Sequence, residues 1–276
     1  MKVPVGIIAL VLAPLVAAAH GDLHVQIEEV TKRIAQEPKN AELYLKRGEL
    51  HRAHQEFDAA QADYDFAAAL NPHLAFVDLA RGKMFLDADW PLSALVALDR
   101  FLAEHTNHVD GLVTRARTLV KLGRRLGAVD DYTHAIAGAA QPQPEMFLER
   151  AQALTNEGPA YLSQALKGIE EGIHKLGPLV VFQMFAIDVE LKQQHVDAAL
   201  ARLDGIAAQS ARKEKWLAQR GEILQQAGRN NEANEAYRGA LKALGALRPG
   251  LRQVPAMVEL EKRVQAGLES TAKKSL

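Results

Sequence analysis

Ten histidines and no cysteine bound the chemistry open to this chain. Without a thiol there is no disulfide, thiolate nucleophile, cysteine-held zinc or iron–sulfur cluster. Imidazole pairs recur at short spacings. His20 and His24 stand one helical turn apart, His51 and His54 share a helix face, and His105 and His108 fall in a loop. Were the chain cut after Ala19, His20 would offer its α-amine as well as its ring, and two or three such nitrogens suit Cu(II). Asp131/His134 and Glu171/His174 have the i, i+3 spacing of half a carboxylate-bridged metal site, but they belong to different segments. No nucleophile–base string occurs, and Asp130-Asp131 and Glu170-Glu171 are adjacent helical residues that do not face each other. The expectation is a protein that is not an enzyme and carries no cofactor and no metal. A copper or other metal site at His20 and His24 is the alternative.

Charge narrows the partner. With 33 Lys+Arg against 34 Asp+Glu the net charge is −1, so no basic excess exists to displace counterions from phosphates. Nucleic acid is not expected. The first nineteen residues read as an export leader: a positive start at Met1-Lys2, an uncharged run from Val3 to Val16, and small residues at Ala17-Ala18-Ala19. That run is shorter than the ~20 residues a spanning helix needs, and Pro4 and Pro14 interrupt it. A cut after Ala19, no membrane insertion afterwards and a periplasmic or secreted mature chain follow as expectations.

The elements that must position these side chains are written as repeats. Arg47, Arg81, Arg115, Arg150 and Arg220 advance by 34, 34, 35 and 70 residues. A second series, Ala60, Ala94, Ala128, Ala165, Ala199 and Ala233, is followed four residues on by Tyr64, Leu98, Tyr132, Ile169, Leu203 and Tyr237. Each period contains two apolar stripes at i, i+3, i+4 and i+7, so each is two amphipathic helices. Gly48, Gly82 and Gly221 let the helices of a pair approach closely, and no stretch alternates with the period of a strand.

These two series, kept in one register, resemble the tetratricopeptide repeat family, in six units starting near 41, 75, 109, 144, 180 and 214. The resemblance implies an all-α fold: a solenoid of helical hairpins wound as a right-handed superhelix. One such hairpin cannot hide its apolar face alone, so stacking supplies the stability. Residues 1–19 form the leader, 20–40 an N-terminal capping helix, 41–247 the repeats, and 248–276 a C-terminal capping helix with its tail. Asp22 is expected to cap a helix ending near Gln36, Pro255 to open the last one, and Thr271–Leu276 to fray. Unit 5 departs from the pattern, with Ala186-Ile187 where arginine and glycine stand elsewhere. Gln141-Pro142-Gln143-Pro144 is expected to hold the chain extended between units 3 and 4 without ending a domain.

The resemblance also implies a binding surface. The first helix of each unit lines the inner face of such a solenoid. Its fifth positions fall on Leu45, Leu79, Val113, Leu148 and Met184, and its ninth on Glu49, Lys83, Arg117, Gln152 and Asp188. An apolar row beside mixed charge suits a peptide or an amphipathic helix of a partner protein. The places of the family's carboxylate clamp hold Leu45, Glu49, Ala80, Asp110 and Thr114, so that clamp is absent. The arginine series is read as packing, its heads bonding nearby acids or carbonyls. A self-assembling structural element is the remaining alternative.

Overall fold

The computed structural model describes residues 9–274, with side chains from 22 to 272, and among these residues there is no strand. Helix α1 (Ala9–Gln36) leads into three hairpins: α2 (Ala41–Ala53) with α3 (Phe57–Leu70), α4 (Phe76–Asp87) with α5 (Pro91–Glu104), and α6 (Val109–Lys121) with α7 (Arg125–Gly138). Three more follow: α8 (Pro144–Glu157) with α9 (Leu162–Leu176), α10 (Val180–Lys192) with α11 (Val196–Gln209), and α12 (Glu214–Gln226) with α13 (Asn230–Gly245). The short α14 (Pro249–Arg252) and the long α15 (Pro255–Lys274) close the chain. We call the first helix of each hairpin A and the second B.

The turn inside each hairpin is set by one residue in the left-handed region. Gln55, Asp89, Gly123, Gln194 and Gly228 take φ of 63°, 60°, 75°, 62° and 76°. The next amide then reaches back five residues, as from Glu56 N to His51 O at 2.9 Å and from Arg124 N to Leu119 O at 2.8 Å, which satisfies carbonyls the helix end leaves open. The fourth hairpin uses Gly158 and a 3₁₀ turn, Pro159–Tyr161. Helix starts are marked by Pro91 and Pro144 in the first turn and by the Asn40 side chain, which accepts from Glu42 N at 3.1 Å.

Two compact units result, one ending at Pro142 and the next beginning at Gln143. The boundary falls within the proline-containing stretch 141–144, where the repeat period slips by one residue. In the first unit, Val30 and Ile34 of α1 join Leu43, Tyr44, Tyr64, Val77 and Met84 in a core cluster. In the second, Ile187, Leu203, Leu224 and Tyr237 pack with Leu260 and Val264 of α15. Each fully buried side chain of this size contributes about 1.5–3 kcal/mol relative to exposure.

Both ends differ from the sequence expectation. Asp22 does not cap α1, which begins at Ala9 and carries Asp22 exposed within it. Thr271 does not belong to a frayed tail: it is fully buried, and its hydroxyl donates to Gly267 O at 2.9 Å. The leader's first eight residues lie outside the described residues, as does the side chain of His20.

Candidate functional site

The arginine series is a set of staples at a constant offset. Arg47 grips Asp63 of α3 with two bonds, at 2.8 and 2.7 Å, and reaches back to Thr31 Oγ1 at 3.2 Å. Arg115 repeats the arrangement, gripping Asp131 at 2.8 and 2.7 Å and Asp99 at 3.0 Å. Arg81 bonds Asp65 at 2.6 Å, and Arg220 bonds Asp204 at 2.6 Å. An A-helix arginine therefore reaches sixteen residues forward, to its own B helix, or sixteen back, to the helix before the hairpin. Arg150 is buried and bonds Glu171 at 2.6 Å. Burial works against ionisation of Glu171, but Arg150 and Lys175 outweigh it and hold that carboxyl below the usual carboxylate range. These guanidinium groups are occupied by acids of the same fold, which is the packing role read from the sequence.

The fifth hairpin solves the same problem with the charges exchanged. Its A helix has Ala186 at the arginine's place and carries instead Glu190, whose side chain is only 5% exposed. Arg202, on the B helix α11, bonds Glu190 at 2.7 Å, Gln183 at 3.2 Å and Glu170 of α9. The repeat pattern shows the missing arginine, while its replacement lies outside that pattern. The signal was present: an acid on the A helix twelve residues before an arginine on the B helix.

The candidate groove residues divide between the two units. In the first, Leu79 and Val113 are 5% and 6% exposed, so they pack between helices and present no open apolar row; Leu45 is half-buried. Charges above them are consumed in pairs between successive repeats: Lys83 with Asp110 at 2.5 Å, Arg52 with Asp87 at 2.5 Å, and Lys121 with Asp89 at 2.6 Å. Glu49 accepts from Tyr64 Oη at 3.0 Å and pairs with Arg52 at 3.1 Å. Burial, and then Glu49, push the Tyr64 phenol well above its usual value. Arg117 is exposed and engaged by a neighbour.

The second unit is more open. Leu148 and Met184 are half-buried, while Gln152 and Asp188 are exposed. Asp188 pairs along its own helix, with Lys192 at 2.7 Å. Val181, three residues before Met184, is 52% exposed. The fifth positions are the expected apolar row and the ninth positions the row of charge beside it. Val181 stands at the second position of the same helix, so the register that gave Met184 also leads to it.

Among the described residues no group of three or more histidine, aspartate or glutamate side chains is placed to hold an ion. His108 caps α6, its Nδ1 accepting from Gly111 N at 3.1 Å, and packs with His105 against Phe101. His134 Nδ1 lies 2.9 Å from its own helix's Asp130 O, and Asp131 belongs to Arg115. A cleft of about 590 Å³ lies within the first unit, between α5 and α7 and floored by Leu112 and Leu119 of α6.

Stacked helical hairpins with small residues at the crossings and self-satisfied charge staples define a repeat scaffold. Residues 174–257 match the model of the tetratricopeptide repeat-like domain family. The fold is that of tetratricopeptide-repeat proteins, helical hairpins stacked in series. Solved structures agree. The C-terminal part of a tetratricopeptide repeat-containing protein from Cytophaga hutchinsonii is 14% identical, with 83% of this chain and 93% of that one covered and a TM-score of 0.66. PilW, described as a widely conserved type IV pilus biogenesis factor, is 17% identical over 74% and 94% of the two chains, with a TM-score of 0.58. A tetratricopeptide repeat protein from Parabacteroides merdae is 16% identical over 90% and 94%, with a TM-score of 0.54. No curated protein matches the chain.

Proposed function

We propose that the protein is an exported, non-catalytic scaffold that holds a peptide or helix of a partner protein against the A-helix face of its second unit. The observation that carries this reading is Val181 on α10. It is an apolar side chain more than half exposed, on the same helix as the half-buried Met184, with exposed Asp188 and Lys192 a turn or two further on. Apolar anchors flanked by charge are what an amphipathic partner segment requires. The Leu79 and Val113 positions of the first unit do not offer this, because their side chains are spent in packing. Export rests on the leader pattern ending at Ala19. Among the described residues no helix is long and apolar enough to cross a membrane.

The test uses the mature protein recovered from cells. Intact mass is expected to begin at His20. In a chemical crosslinking experiment, Val181→Lys with Asp188→Lys is expected to remove the crosslinked partner band while leaving the melting temperature within a few degrees. An unchanged band rejects the α10 face as the docking site. A band whose mass is that of two copies of this chain replaces partner capture with self-assembly.

A further inference from the structure

The repeat presents the same outward place six times over. Two residues before and two after each alanine of the B-helix series, the side chain is exposed in every hairpin. Four hairpins fill those places with polar or small residues: Asp58 and Ala62 on α3, Ser163 and Lys167 on α9, Asp197 and Ala201 on α11, Asn231 and Glu235 on α13. Helix α5 has Leu92 and Val96 there, 65% and 58% exposed, and α7 has Leu126 at the first of the two places. Trp90, at the start of α5, is exposed as well. Four large apolar side chains thus stand together on the B-helix face of the first unit. Single exposed apolar residues need no explanation, but a group of them marks a contact surface.

Leu92 and Val96 lie one turn apart and make a ridge along α5. The cleft of about 590 Å³ runs beside it toward α7, with the half-buried Leu95 and Leu119 in its lining, and one of about 350 Å³ lies toward the end of α3. A ridge between grooves is what a packing helix engages. The surrounding charges set the sign of the occupant. Asp65, Asp99 and Arg100 of these B helices are already paired, with Arg81, Arg115 and Asp78. Asp58 on α3 and Asp130 on α7 are exposed, and their carboxylates have no partner among the described residues. One stands on either side of the ridge. Arg124, about 9 Å before Asp130 along α7, is also without a partner there.

We propose that this face is a second docking surface, for an amphipathic helix of a partner protein whose apolar stripe is flanked by lysine or arginine. The stripe covers Trp90, Leu92, Val96 and Leu126. The flanking cations reach Asp58 on one side and Asp130 on the other along their own aliphatic stems. The anionic headgroups of a bilayer would meet both acids and be repelled. A second copy turned about a two-fold axis on α5 would set Asp58 of one copy against Asp130 of the other, like charge against like. Arg124 opposes a basic helix and so limits its affinity. The surface belongs to the first unit and does not depend on the docking face of α10.

The probe is a synthetic helix with leucine on one face and lysine on its flanks, compared with the same helix carrying glutamate in place of lysine. The chain has two tryptophans, so Trp216→Phe in the full chain leaves Trp90 as the reporter. Its emission reads contact at the face, and the anisotropy of the labelled helix gives the affinity. The lysine helix is expected to shift Trp90 emission to the blue and to bind at least about tenfold more tightly than the glutamate helix. Leu92→Ser with Val96→Ser is expected to weaken it about tenfold or more, since two apolar side chains are no longer there to be covered. Asp130→Lys weakens it too, and Arg124→Glu strengthens it. Equal affinity for the two helices, undiminished affinity in the serine chain, or weaker binding by the Arg124→Glu chain overturns the proposal. A Trp90 shift with chain concentration alone gives the face to a second copy. A shift with phosphatidylglycerol vesicles and none with the lysine helix gives it to a bilayer, and either result overturns the proposal. If the Trp216→Phe chain fails to fold, anisotropy with the unaltered tryptophans carries the same comparisons, and Leu126→Ser stands in for the serine pair if that one fails.

Discussion

Gly48 lies so close to the ring of Tyr64 that a Cβ there would stand 2.4 Å from Cε1. The same relation, sixteen residues apart, recurs between Gly82 and Leu98 at 2.6 Å and between Gly221 and Tyr237 at 2.5 Å. In each case an A helix gives up its side chain so that a large residue of its own B helix can be fully enclosed. Tyr237 is held from both sides, since a Cβ on Gly267 of α15 would also come within 2.5 Å of its ring. Burial, then the nearby Glu222, pushes its phenol up to about 12. The glycines of the repeat are therefore packing devices, and the end helix copies the arrangement.

Replacing Gly48 by alanine is expected to destabilise the protein by about 1–3 kcal/mol, the usual cost of forcing an extra group into a filled core. Tyr64 has no exposed surface into which its ring could retreat. Urea denaturation checks it; a change below about 0.5 kcal/mol, the range of an ordinary surface substitution, contradicts the crossing geometry.

The staples differ in value according to what they leave behind. Arg115→Ala abandons Asp131, whose side chain is 7% exposed, and is expected to cost about 3–5 kcal/mol. Arg220→Ala abandons Asp204, which is 55% exposed, and is expected to cost under about 1 kcal/mol. Equal losses in thermal or chemical melts would show that the acids' burial does not set the cost.

The exchanged staple of the fifth hairpin predicts a rescue. Arg202→Met alone leaves Glu190 buried without its cation and is expected to be severely destabilising. Adding Glu190→Met removes the orphaned charge and is expected to restore most of the stability, because a buried ion pair is often replaceable by apolar residues of similar volume. Additive losses in the double variant contradict this account of Glu190.

Acid dependence follows from Glu171. Its carboxyl is depressed in the folded chain, so its contribution is present above the unfolded carboxylate value of about 4.3 and fades as pH falls through the lower folded value. Glu171→Gln is therefore expected to be less stable than the unaltered protein at neutral pH. The gap is expected to close in the acid range below about pH 4, followed by denaturant titration at stepped pH. A gap independent of pH means the loss comes from shape and not from charge.

The left-handed turn residues offer a gain. Gln55 holds φ of 63° where Gly123 and Gly228 serve other hairpins. Gln55→Gly is expected to stabilise by up to about 1 kcal/mol, the strain a non-glycine residue bears in that region less the entropy glycine loses. Destabilisation by that amount would show that the Gln55 side chain has a role of its own.

The hairpins were legible because two residue series kept one period: the arginines fixed the A helices and the alanine–tyrosine pairs the B helices. What the sequence left hidden depended on contacts without a fixed spacing. Arg202 and Glu190 invert the rule followed by Arg47 and Arg115, so a search for the rule passes over them. Leu79 and Met184 occupy the same place in the repeat, yet one is buried and the other half-open, because burial depends on how the neighbouring helices close and not on the register. Histidine spacing along the chain pointed to His20 with His24, whereas the fold brings His24 to His54, thirty residues away.

The central claim, that a partner lies on the A-helix face of the second unit, is tested most directly by placing a photo-activated residue at one position at a time in living cells. Sites at Val181 and Gln152 on A helices are compared with Ala201 and Asp204 on the B helix α11, all exposed. The account predicts one partner protein crosslinked from Val181 and Gln152 and not from Ala201 or Asp204. Crosslinking from the α11 sites with none from Val181 would contradict it.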